Sequence, residues 1–280
     1  MSGDLHTHTY CSDGFCPAER NFQLARQTGL DYLAITDHDH LEDFSVFQEL
    51  GMRYGVSPIY GVEVSTHDYQ RGRKVHILCY FPKDPDAVRA LCRQTVLNRR
   101  EAGEEMARLV VEKYPVITVE DIRKTAEKSD GISKQHILFT LMQAGLATEM
   151  FGAVWKELFD SKTGSCLRSC VQPDVWKALP ILREAGGICV MAHPYTYRSL
   201  DLLHELLEQR LLDGIEVWQS KTTPEQENFL LQIAEEHQVI PTGGSDFHGA
   251  FGSKISPIGK GRTPERSIEA LLSLRDKRHS

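Results

Sequence analysis

Apolar residues recur along this chain with two different periods, and the places where one period yields to the other mark its elements. Short runs rich in β-branched, apolar and aromatic residues predict strands over Asp4 to His8, Tyr32 to Thr36, Ile59 to Val64, Val75 to Phe81, Gly187 to Ala192, Gly214 to Trp218 and Val239 to Thr242. Helical spacing predicts helices over Pro17 to Gln27, Asp43 to Tyr54, Asp174 to Ala185, Leu200 to Arg210, Pro224 to Gln238 and Pro264 to Asp276. Strands alternating with helices imply a mostly parallel sheet joined by crossovers, and this succession suits a closed β/α barrel.

One stretch breaks the alternation. Between about Asp86 and Val171 the spacing is helical, with helices expected over Leu91 to Lys113, Val119 to Glu127, Ser133 to Gln143 and Met150 to Phe159. The expected organisation is an α/β barrel formed by residues 1–93 and 171–280, with an α-helical insertion at 94–170. Such an insertion is placed to cap the barrel mouth, where barrel enzymes build their sites.

Composition narrows the function classes. The 280 residues, 41% of them hydrophobic, suffice for one large domain carrying an insert. A net charge of −7 argues against a protein that coats nucleic acid, though bound divalent cations would leave room for an anionic substrate. Seven scattered cysteines do not form a disulfide framework and read as reduced thiols. Cys166 and Cys170 lack the second pair that a structural zinc site needs. The first residues show neither a basic start nor an apolar run, and no stretch is apolar enough to span a membrane. The expected location is the cytoplasm, with no membrane and no obligate protein partner.

Six clusters carry chemistry: His6-Thr7-His8 with Ser12-Asp13-Gly14; Thr36 to His40; Gly61-Val62-Glu63; His76; Ala192-His193-Pro194; and Gly243 to His248. Most follow a predicted strand directly, which is the catalytic end of a barrel. His6 and His8, at the chain start, and His76, early in its strand, depart from that rule. Imidazoles mixed with carboxylates and no thiolate suit zinc, iron or manganese. Two such metals about 3.5–4 Å apart are the usual arrangement for hydrolysing phosphates. Each cluster also has an ordinary reading: a hydrogen-bonded core histidine, a helix cap or a solvated loop. That reading must hold at all six clusters at once.

In this order the motifs Asp4-Leu5-His6-Thr7-His8, Ser12-Asp13-Gly14, Ile35-Thr36-Asp37-His38-Asp39, Gly61-Val62-Glu63-Val64, Ala192-His193-Pro194 and Gly244-Ser245-Asp246-Phe247-His248 resemble the PHP family, named for polymerase and histidinol phosphatase. The resemblance covers nearly the whole chain outside the insert. It implies a distorted seven-stranded (β/α)7 barrel and a site of two or three divalent ions (manganese, zinc or iron). The implied ligands are His6, His8, Asp13, His38, Glu63, His76, His193, Asp246 and His248, with Glu63 bridging two metals. All nine positions are filled, unlike the degenerate modules of some DNA polymerases.

The insert is similar to a subgroup of nucleotide phosphoesterases and a 5′-to-3′ exoribonuclease, through Gly131-Ile132-Ser133-Lys134-Gln135-His136-Ile137. By that similarity Arg99, Lys134 and His136 are candidates for the substrate phosphate, helped by the free amides of a helix start. For Lys134 and Arg99 the alternative is a solvated surface charge. The subgroup usually has arginine then proline where this chain has Lys134 and Gln135, a second arginine at Ala102, and glycine where this chain has Tyr195-Thr196-Tyr197.

The expected activity is hydrolysis of a phosphate monoester on a small molecule, a nucleotide such as a nucleoside monophosphate or 3′,5′-bisphosphate. Attack is expected from a metal-bridged hydroxide, with His193 or Asp246 handling protons. Asp37 and Asp39 are expected to orient ligand histidines through their other ring nitrogens. Alternatives are a 5′-to-3′ exoribonuclease on short RNA, a histidinol-phosphate or phosphotyrosine phosphatase, and a non-enzymatic metal-binding module.

Overall fold

The computed structural model describes residues 1–252 and 256–280. Strands β1 (Ser2–Asp4), β2 (Tyr32–Ile35), β3 (Ser57–Asp68), β4 (Arg73–Tyr80), β5 (Ile188–Met191), β6 (Gly214–Gln219), β7 (Ile240–Gly244) and β8 (Thr263–Pro264) form one sheet. Its order is β7-β6-β5-β4-β3-β2-β1-β8. The sheet curls until its ends meet: Leu5 N donates to Gly243 O (3.1 Å), Asp246 N to His6 O (2.9 Å) and His8 N to Phe247 O (2.9 Å). Gly244 permits this approach, because a Cβ there would lie 2.2 Å from that of His6. The result is the expected distorted barrel with one strand more than the expected seven. The extra one is the two-residue β8, antiparallel to β1.

Two boundary differences have a physical cause that matters for the site. The first strand ends at Asp4 rather than His8, so His6 and His8 lie on the exit segment beyond its C-terminal end. Strand β4 runs antiparallel to both β3 and β5, against the mostly parallel expectation. A tight β3–β4 hairpin replaces a helical crossover there, and antiparallel strands tolerate such a short link. An early residue of β4 therefore lies at the same barrel end as the late residues of its neighbours. His76 stands opposite Ser65.

Helices α1 (Ala18–Gln27), α2 (Phe44–Tyr54), α7 (Val175–Glu184), α8 (Leu200–Glu208), α9 (Pro224–Glu236) and α10 (Glu265–His279) pack around the sheet. Between β4 and α7 come α3 (Pro85–Lys113), α4 (Val119–Thr125), α5 (Lys134–Gln143) and α6 (Ala153–Phe159). Asp84 caps α3, accepting from the amides of Asp86 and Ala87, and Pro85 opens the helix where its missing N–H costs nothing. The helix then passes through residue 94 unbroken. Its Val88 and Cys92 belong to the barrel core, whereas Met106, Ala107 and Val110 belong to a second core with Ile122, Ile137, Leu141 and Leu158. Among the described residues no helix is long and apolar enough to cross a membrane.

Candidate metal centre

The six clusters meet at one end of the barrel, around Glu63. This carboxylate projects from β3 and is fully buried. Its Oε1 accepts from His76 Nδ1 and His193 Nε2, both at 2.8 Å. Its Oε2 lies 3.0 Å from His38 Nδ1, 3.1 Å from His6 Nε2 and 3.2 Å from His8 Nε2. None of those three contacts has hydrogen-bond geometry, and Oε2 and His38 Nδ1 are buried without partners. Asp13 Oδ1 approaches His248 Nε2 (3.2 Å) and both His8 Nδ1 and His38 Nε2 (3.9 Å each). Asp246 Oδ1 approaches His248 Nδ1 (3.4 Å), His8 Nε2 (3.5 Å) and His6 Nε2 (3.8 Å). All nine side chains singled out by the motifs are thus brought together.

Unpartnered buried polar atoms are costly, so the convergence needs a reason. Two imidazole nitrogens, His6 Nε2 and His8 Nε2, face each other at 3.1 Å, and protons alone satisfy at most one of the pair as donor. Burial opposes the charged forms of Asp13, Glu63 and Asp246, yet the surrounding imidazoles hold all three carboxyls well below the usual range. Burial also holds His38 well below its ordinary value, whereas, against the burial of both rings, Glu216, Glu63 and Asp246 raise His6 and His8 above theirs. Divalent cations would supply the missing charge and take the converging lone pairs, and a donor set of nitrogen and oxygen without thiolate fits zinc, iron or manganese.

A residue that the motifs did not flag holds two of these elements in place. Glu216, fully buried in β6, accepts from His6 Nδ1 (2.8 Å) through Oε1 and from the amide of His193 (2.7 Å) through Oε2. A carboxylate on the far nitrogen of an imidazole fixes which nitrogen faces the metal. Its signal was present: a lone glutamate between Ile215 and Val217 in a buried strand needs partners. Backbone conformation is also specialised, since Asp39, His193 and Asp246 adopt left-handed φ of 56°, 29° and 54°.

Asp37 and Asp39 bond to backbone amides, hydroxyls and Arg99 rather than to histidine rings. Asp37 accepts from Thr9 N (2.7 Å), Thr9 Oγ1 (2.6 Å) and Ser12 Oγ (2.5 Å), and so shapes the loop that presents Asp13. Asp39 accepts from Ser65 N (2.9 Å) and pairs with Arg99, which also donates to His38 O (3.2 Å). Arg99 is therefore occupied as a strut behind the site. Lys134 Nζ lies over the Trp155 ring, 5.3 Å from its centroid, and burial pushes its pKa down to about 8. His136 caps its own helix, with Nδ1 accepting from Ser133 N at 3.0 Å. The chain at this helix start instead directs Gln135 to the site, where Nε2 donates to Asp13 Oδ2 at 2.9 Å.

Seven of the nine side chains, all but the fully buried His6 and His8, line a cavity of about 250 Å³ together with Gln135, Phe151, Tyr197, Lys221 and Phe251. Lys221 Nζ bonds Asp246 Oδ2 at 3.0 Å, the only lysine or arginine among the described lining residues. Residues 4–134 match the PHP domain family. The chain is also 36% identical over 255 residues to phosphoribosyl 1,2-cyclic phosphate 1,2-diphosphodiesterase of Eggerthella lenta, covering 90% of this chain and 96% of that protein. The chain belongs to the PHP family. As a PHP protein it is a metal-dependent phosphoesterase, a hydrolase of phosphate esters. The 5′-3′ exoribonuclease Rnm of Escherichia coli is 28% identical over 258 residues, 88% of this chain and 84% of that one. A solved structure of a candidate metal-dependent phosphoesterase from Bifidobacterium adolescentis superposes with a TM-score of 0.86 at 27% identity, covering 97% and 96% of the two chains.

Proposed function

We propose that this PHP protein hydrolyses a phosphate ester carried on the ribose of a small molecule, a nucleoside monophosphate or 3′,5′-bisphosphate being the expected type. The convergence of nine donor side chains, Glu63 at their centre, beside a small cavity carries the reading. His6, His8, Asp13, His38, Glu63, His76, His193, Asp246 and His248 would hold two or three divalent ions, manganese, zinc or iron. Such ions supply Lewis-acid stabilisation of phosphoryl oxygens and acidify bound water. The helical segment 94–170 acts as a cap over the barrel of 1–93 and 171–280, contributing Gln135 and Phe151 to the cavity wall.

The chain's own residues do the rest. Lys221 neutralises a phosphoryl oxygen from the cavity wall, while Asp246 and His193 handle protons. Water forms a bond to phosphorus, the ester P–O bond breaks, and a proton reaches the leaving ribose oxygen. Arg99 adds positive potential from behind the wall, since it feels the charge of Asp13, while Lys134, turned to Trp155 with its pKa lowered to about 8, adds little. The relatives' substrates, by their names a phosphoribosyl cyclic phosphate and RNA, share a phosphorylated ribose. An exonuclease reading is the second one, favoured by the Escherichia coli relative and opposed by the net charge of −7.

The test is hydrolysis by manganese-loaded protein, read as inorganic phosphate from nucleoside monophosphates and 3′,5′-bisphosphates and as chromatographically separated products from cyclic ribose phosphates and short 5′-phosphorylated RNA. The expected result is turnover of one ribose-phosphate class, lost in Asp246→Asn. A fully loaded protein inert toward the whole panel would overturn the proposal.

A further inference from the structure

A second donor cluster lies outside the cavity, where the barrel loops meet the turn between α4 and α5. Cys11, His40 and Glu42 each bring one donor atom to within 4.8 Å of the others. Cys11 is a free thiol. His40 turns its Nδ1 to Asp130 Oδ2 at 2.6 Å and leaves Nε2 buried with no hydrogen-bond partner. Glu42 Oε2 lies 3.9 Å from that Nε2, too far for a hydrogen bond.

This arrangement repeats the logic of a metal-bound histidine. A carboxylate on one ring nitrogen fixes the tautomer and leaves the other nitrogen's lone pair pointing at the ion. Asp130 is itself anchored: its amide donates to Cys11 O (2.9 Å) and its Oδ1 pairs with Arg100 Nη2 (3.2 Å). A hydrogen-bonded structural role for His40 accounts for Nδ1 and not for the buried Nε2. None of Cys11, His40 and Glu42 lines the cavity of the phosphoesterase site, so catalysis does not explain them.

We propose that Cys11 Sγ, His40 Nε2 and a Glu42 carboxylate oxygen form a separate site for one zinc-class divalent ion. Sulfur, nitrogen and oxygen from three side chains, completed by water, are a normal zinc donor set. Tetrahedral coordination at zinc bond lengths sets donors roughly 3.3–3.8 Å apart, so side-chain rotation of about an ångström closes the site. Binding releases the thiol proton to solvent and leaves no charge to be balanced by another group. The ion would clamp the helical segment to the loops that present Asp13 and His38, because Asp130 holds His40 from the helical side. Ser129 Oγ, next to it, already bonds Ser12 O at 2.6 Å.

Cobalt(II) tests this without reference to turnover. The centre around Glu63 has only nitrogen and oxygen donors, so it gives no thiolate-to-cobalt charge transfer. The cobalt-loaded full-length protein is expected to show that near-ultraviolet band, to lose it in Cys11→Ser, and to lose most of it in His40→Ala while circular dichroism stays native. Metal binding at the Cys11 cluster should also protect that thiol from alkylation. Absence of the band, or its survival in Cys11→Ser, would overturn the proposal, whatever the protein's activity toward phosphate esters.

Discussion

The barrel mouth and the start of α5 both contribute to one cavity, yet they are built on different terms. At the mouth, Glu63 and five imidazoles pack in a space where His6, His8 and Glu63 are wholly buried, and all come from β3, from β4 or from the segments just past β1, β2 and β5. At the start of α5, three consecutive polar residues point in three directions. Lys134 goes to Trp155, Gln135 to Asp13 and His136 back onto Ser133. Successive residues on a helix are about 100° apart, so adjacency in sequence does not mean a shared target. Strand ends deliver chemistry as a set; a helix start delivers one residue in three.

That difference is sharpened first by Glu216→Gln. The amide keeps the shape of the carboxylate but offers a donor where either His6 Nδ1 or the His193 amide also donates. A loss of about 10–100-fold in metal affinity or activity is expected, read by metal titration and kcat/KM. An unchanged titration would mean that the histidines of the mouth need no support from β6.

The smaller effects belong to α5. Gln135→Ala should raise KM several-fold, whereas Lys134→Met should leave kcat/KM nearly intact and change the pH dependence of stability instead. The sign follows from burial, which lowers the folded pKa of Lys134 from 10.5 to about 8. Between those values the unfolded chain binds more protons than the folded one, so wild-type stability rises with pH over that window. In Lys134→Met that rise should be absent from denaturant midpoints measured between about pH 8 and 10.5. A steep KM increase in Lys134→Met with unchanged stability would break the comparison.

The same contrast explains what was legible in the sequence. The barrel and its nine converging residues could be read because strand ends and motif order reinforce one another. The apparent exceptions, His6, His8 and His76, were not exceptions: β1 stops at Asp4, and β4 runs backward, so all three lie at the same barrel end. A hairpin direction is a tertiary fact that hydrophobic runs do not report. Glu216 stayed hidden because it belongs to no motif, although its burial inside β6 demanded partners. Asp37 and Asp39 were expected to orient histidine rings, but bond to Thr9, Ser12, Ser65 and Arg99 rather than to imidazoles. The boundary drawn at residue 94 fell inside α3 because one amphipathic helix serves two cores, and its periodicity does not change between them.

The claim on which the account rests is that Glu63 is the centre of a divalent metal cluster. Metal content per chain, measured by elemental analysis on wild type and on folded Glu63→Gln, tests it directly. The account predicts at least two divalent ions in the wild type and, in the variant, at most the ion held at Cys11. A Glu63→Gln protein that keeps the full complement of metal would contradict it.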